Sequence, residues 1–66
     1  MMTIAFVDMD QVELEAESGH LLHVDLVLID TDDQPHPLRI ELPALGQLAT
    51  VFRAIQAKFP GALGGH

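Results

Sequence analysis

The 66-residue chain has no cysteine, no tryptophan and no tyrosine, and it carries only three basic residues, Arg39, Arg53 and Lys58. Without cysteine there is no disulfide to staple a short fold and no thiolate for a zinc centre. Three bases against ten acids, a formal charge of −7, exclude the clustered Lys and Arg that direct binding to nucleic acid requires. The apolar runs are only a few residues long, and no basic stretch precedes an apolar one near residue 1. Neither a membrane span nor a signal peptide is expected, and a cytoplasmic location is the default.

A chain of this size buries roughly 60% of its unfolded surface and is marginally stable alone. With disulfides closed off, a structural metal or a second subunit remains as the added support. Disorder is not expected, because 48% of the residues are apolar and mean hydropathy is positive, which offsets the high charge.

Apolar side chains at Ile4, Phe6, Val12, Leu14 and Ala16 alternate with Glu13, Glu15 and Glu17. A period of two marks strands with one buried face. Asp8-Met9-Asp10-Gln11 interrupts the series as a turn or bulge would, dividing it into strands over about 3–8 and 11–17. Glu17-Ser18-Gly19 then suits a three-residue hairpin loop with Gly19 at positive φ. That loop sets Leu14 against Leu22 and Val12 against Val24 inside, with Glu13 against His23 outside. A two-residue loop would place Asp25 opposite Val12, so parity selects the longer one.

The strand at about 21–30 has Leu22, Val24, Leu26 and Leu28 inside. Its outer face is polar at His23 and Asp25 but apolar at Val27 and Ile29. With Val7 and Met9 also expected outside, these residues predict a covered patch and a homodimer. Thr31 to Pro37 is loop chemistry, and Leu38, Ile40 and Leu42 give a last strand over about 37–42. From there the period changes. Leu45, Leu48, Phe52, Ile55 and Phe59 recur every three or four residues, predicting a helix over about 43–58 that opens at Pro43 and stops at Pro60-Gly61.

The expected architecture is α+β: a three- to four-stranded antiparallel β-meander with one C-terminal helix packed on its even-numbered face. Residues 1–60 form a single domain and 61–66 a flexible tail.

Three clusters bear on chemistry. His20, His23 and Asp25 are the candidate metal ligands, since imidazole and carboxylate suit zinc or nickel. His20, however, has the opposite parity to the other two, and a surface histidine beside Glu13 is the better account of His23. Asp30, Asp32, Gln34 and Glu41 fall on positions 1, 3, 5 and 12 of a calcium loop, but Pro35 occupies the required glycine and a strand pattern replaces the loop's second half. Glu13, Glu15 and Glu17 lie on an exposed face, where nothing raises a carboxylate pKa for acid–base work, and Ser18 is turn chemistry.

No cofactor and no catalytic residue is therefore expected. The sequence points to a small acidic non-enzymatic interaction or regulatory module, dimeric, with a basic protein as its partner and Val7, Val27, Ile29, Glu13 and Glu15 as its interaction residues. The alternatives are an acidic inhibitor that mimics nucleic acid through Asp8, Asp10, Glu13, Glu15 and Glu17, and a metal-binding protein using His20, His23 and Asp25.

Overall fold

The computed structural model describes residues 1–64. Three antiparallel strands in the order β1 (Ile4–Leu14), β2 (Leu21–Asp30) and β3 (Pro35–Glu41) form one sheet, and a helix, α1 (Leu42–Lys58), follows. This is the expected α+β meander, with three strands because the two short N-terminal segments are one continuous β1. Of the tail at 61–66, residues 65 and 66 lie outside the described residues. Residues 59–64 make two turns, with the amide of Ala62 donating to the Phe59 carbonyl at 3.0 Å and that of Gly64 to the Gly61 carbonyl at 3.2 Å.

β1 stays continuous because bulges absorb what looked like a break. Met9 pairs with Leu26 and Gln11 with Asp25, leaving Asp10 as an extra residue, and a second irregularity between Ile4 and Phe6 leaves Ala5 extra. An extra residue in one strand shifts side-chain parity relative to its neighbour. Val12 therefore faces Val24 and Glu13 faces His23 as parity predicts, whereas upstream of Asp10 the faces exchange. Val7 stands across from Leu28 and belongs to the inner face; Phe6 stands across from Ile29 and belongs to the outer one. The expectation of Val7 outside is thus corrected, and the cause is the bulge.

The β1–β2 hairpin also differs in detail. β1 ends at Leu14, which pairs with Leu21 and not Leu22. The Glu15 amide donates to the His20 carbonyl at 2.8 Å and the Gly19 amide to the Glu15 carbonyl at 2.9 Å, so a helical turn closes a loop longer than three residues. Gly19 does adopt the left-handed conformation, at φ 73°.

β2 and β3 pair without irregularity from His23–Glu41 to Ile29–Pro35. Pro35 and Pro37 share one parity on an edge strand, where an absent N–H leaves no gap in the ladder when it points away from β2. The same absence blunts that edge against a further strand.

The core is small. Val24 and Ile40, paired across β2 and β3, are its only buried apolar residues among those described. They lie at the end of the sheet from which α1 departs, and Leu45 is the one half-buried residue of the helix. No residue of α1 is fully buried.

The connection explains the shallow contact. Glu41, the last residue of β3, is also the N-cap of α1, with extended φ −79° and ψ 160° and no side-chain cap bond. Strand-to-helix connections in compact units use roughly 2–6 residues; here there are none. Without a loop the helix cannot turn back along the sheet, so beyond its first turns it leaves the sheet uncovered.

The shape reflects this. The radius of gyration is 14.4 Å, against about 11 Å for a compact chain of this length.

Candidate interaction surfaces

The outer face of the sheet has two halves. Phe6, Val27, Ile29, Pro35 and Pro37 occupy one end by register, with Asp8 across from Val27, and Gln11, Glu13, His23, Asp25, Arg39 and Glu41 the other. Val27 and Ile29 are half-buried on the central strand, while Phe6 is exposed. The apolar outer patch expected from Val27 and Ile29 is present, with Phe6 in the place assigned to Val7.

Among the acids of this face, Asp25 is paired and Glu13 lies beside His23. Arg39 donates from Nε to Asp25 Oδ1 at 2.7 Å and from Nη2 to Asp25 Oδ2 at 3.1 Å, a planar fork matched to a carboxylate. The Arg39 bonds hold the Asp25 carboxyl below the usual carboxylate range, against the opposing effect of desolvation. The same pairing raises the Arg39 guanidinium. His23 Nε2 lies 3.2 Å from Glu13 Oε2. That contact is short but misaligned, so Nε2 is buried without a true hydrogen bond.

Two further acids are spent on loops. Glu15 accepts from the backbone amides of Glu17 and Ser18, each at 3.0 Å, and from the Ser18 hydroxyl at 3.0 Å. The Ser18 amide, followed by its hydroxyl, lowers the Glu15 pKa. Glu15 is therefore the organiser of the hairpin turn.

Asp30 plays the same part in the second loop. Its Oδ1 accepts from the amides of Asp32 at 2.8 Å and Gln34 at 2.9 Å, and its Oδ2 lies 2.7 Å from His36 Nε2. His36, then the Gln34 amide, holds the Asp30 carboxyl below its ordinary value. Asp33 completes the turn at φ 65°, a conformation aspartate tolerates better than most residues. The calcium-loop positions are thus not gathered round a common point.

Nor are the other candidate ligands brought together. The His20 amide bonds the Ser18 hydroxyl in the hairpin loop, His23 faces Glu13, and Asp25 is held by Arg39. Among the described residues no group of three His, Asp or Glu side chains is placed to hold a metal ion.

The larger exposed feature is apolar, on the inner face and on the helix. Val7, Met9, Val12, Leu14, Leu22 and Leu38 remain exposed on or beside the inner face. Leu48, Val51, Phe52, Ile55 and Phe59 remain between 37% and 60% exposed along α1 and its C-cap. Periodicity singled out most of this helical stripe as core, and the structure leaves it open. Arg39 as the partner of Asp25 was missed, and Met9, expected on the outer face with Val7, stands across from Leu26 on the inner one. The Asp25–Arg39 pairing follows from the β2–β3 register, in which Val24–Ile40 sets residues 25 and 39 opposite each other.

No helix among the described residues is long and apolar enough to cross a membrane. Comparison with family models, with curated proteins and with solved structures finds no match to this chain.

Proposed function

We propose that this chain is a non-enzymatic interaction module that works as a homodimer and presents an acidic surface to a basic protein partner. The observation that carries this is the unclosed core. A folded monomer of this mass exposes about 4,100 Å², and this chain exposes 5435 Å². The excess, about 1,300 Å² per chain, is contributed by two copies to a shared interface in the range of obligate homodimers, roughly 2,000–5,000 Å² in total.

The acidic partner-facing role rests on the charge of −7, which steers association with basic proteins and weakens with salt. The row of acids that a nucleic-acid mimic would use is broken, since Glu15 is folded into the hairpin turn and Glu13 lies beside His23. That favours a general acidic surface over mimicry.

Sedimentation velocity from low to high micromolar concentration tests the proposal. A dimer mass is expected, and a monomer at the highest concentration overturns it.

A further inference from the structure

We infer that the dimer forms by helix exchange, with α1 of each copy lying over the inner sheet face of the other. The inference rests on the homodimer reading above and names its interface. The occupant of the uncovered inner face is the helix of a second copy of this chain.

Three observations converge on that occupant. The first is complementarity of kind. A helix with one apolar stripe and a sheet with one apolar face each need the other to form a two-layer core. This chain has both, Phe52, Ile55 and Phe59 on one side and Val7, Met9 and Leu38 on the other, and both are exposed. Their dimensions agree as well, because a 17-residue helix is about 25 Å long and the seven residues of β3 span about 23 Å.

The second is the connection. With Glu41 serving as both strand end and N-cap, no slack remains for α1 to cover its own sheet, whereas a partner's helix approaches without that restriction. A short hinge is the feature that converts an intramolecular contact into an exchanged one. The exchange is isologous, so two copies satisfy each other and leave neither helix unmatched.

The third is charge. All ten acids lie in residues 1–41, with Arg39 as the single base there, while α1 contains Arg53 and Lys58 and no acid. Pairing two helices across a two-fold axis would bring like charges together. Exchange instead sets each basic helix against a half of the partner whose net charge is negative, the sheet acids Glu13, Asp25 and Glu41 themselves lying on the opposite, outer face.

Isotope-filtered NOE spectroscopy on a dimer mixed from labelled and unlabelled chains tests the arrangement. Intermolecular contacts from Phe52, Ile55 or Phe59 to Val7, Met9, Val12 or Leu38 are expected. Contacts confined to helix against helix, or to Val27 and Ile29 across two outer faces, overturn exchange while leaving the homodimer intact. A monomer in sedimentation overturns both proposals.

A variant tests the hinge. Inserting a short Gly-Ser linker between Glu41 and Leu42 lets α1 fold back on its own sheet, so the dimer dissociation constant is expected to rise by at least about a hundredfold, the scale on which tethering effects operate. An unchanged dissociation constant overturns the exchange. The NOE experiment uses the native sequence and decides the question even where the insertion impairs folding.

Discussion

Arg39 holds Asp25 by two bonds across the β2–β3 ladder, Nε to Oδ1 at 2.7 Å and Nη2 to Oδ2 at 3.1 Å. The two residues are directly opposed in register, so the pair pins the strands at the same point where it neutralises a carboxylate on the outer face. Cross-strand opposite charges of this kind stabilise an antiparallel pair, and like charges opposed would do the reverse.

Replacing Arg39 by Ala removes the bonds that hold the Asp25 carboxyl low. Its titration midpoint is expected to rise towards the ordinary aspartate value, and Arg39→Lys is expected to restore only part of the shift because an ammonium cannot form the fork. Carbon-detected NMR titration of Asp25 reads this directly. A midpoint unmoved in Arg39→Ala would show that the pairing does not set the carboxyl's environment in solution.

Asp30 gives the fold a pH dependence of definite sign. Its carboxyl is lowered in the folded chain, chiefly by His36 and the Gln34 amide. A group lowered on folding contributes stability that is fully present above its unfolded pKa, about 3.9, and is lost as pH falls through the lower folded value. Asp30→Asn is therefore expected to melt below the native chain at neutral pH, with the gap closing as the solution is taken below about pH 4. Thermal melts of both chains across that range check the sign, and a gap that widens on acidification would contradict it.

Most of the sheet was legible in the sequence, and each departure has a local cause. Alternation located the strands, and the parity of Val12, Glu13, His23 and Val24 located the first hairpin register. The two aspartates at 8 and 10 carried the signal of a bulge, and a bulge at Asp10 moves Val7 inward and Phe6 outward. Periodicity likewise found the apolar stripe of α1. It could not tell which sheet that stripe covers, because direction is set by the number of residues between strand and helix. Here Glu41 serves as both. The Asp25–Arg39 pair depended on the second hairpin register, which the proline-rich loop at 31–37 did not announce.

Gly19 isolates a backbone effect. Its φ is 73°, and a Cβ built there would meet no atom within 4 Å. Gly19→Ala therefore introduces no clash with the rest of the chain and costs only the left-handed conformation of an L residue, about 1 kcal/mol. Gly19→Asn is expected to cost less, since asparagine enters that region more readily. Denaturant titration of the two variants gives the comparison, and equal losses would mean that the hairpin turn changes shape instead of bearing the strain.

Met9 and Phe6 separate the two sheet faces in solution. Both are exposed in the single chain, at 61% and 59%, so an aspartate at either position should do little to an isolated monomer. Their registers differ: Met9 lies across from Leu26 on the inner face, and Phe6 across from Ile29 on the outer. If a partner's helix covers the inner face, Met9→Asp forfeits the burial of a methionine, about 2 kcal/mol per protomer, and a buried unpaired charge adds to the loss. The dimer is expected to weaken strongly in Met9→Asp and to persist in Phe6→Asp. The melting temperature of the native chain should rise with concentration, that of Met9→Asp should lose this dependence, and that of Phe6→Asp should keep it. The opposite assignment, with Phe6→Asp alone dissociating, would place the interface on the outer face and transfer the dimer from helix exchange to stacking of two sheets.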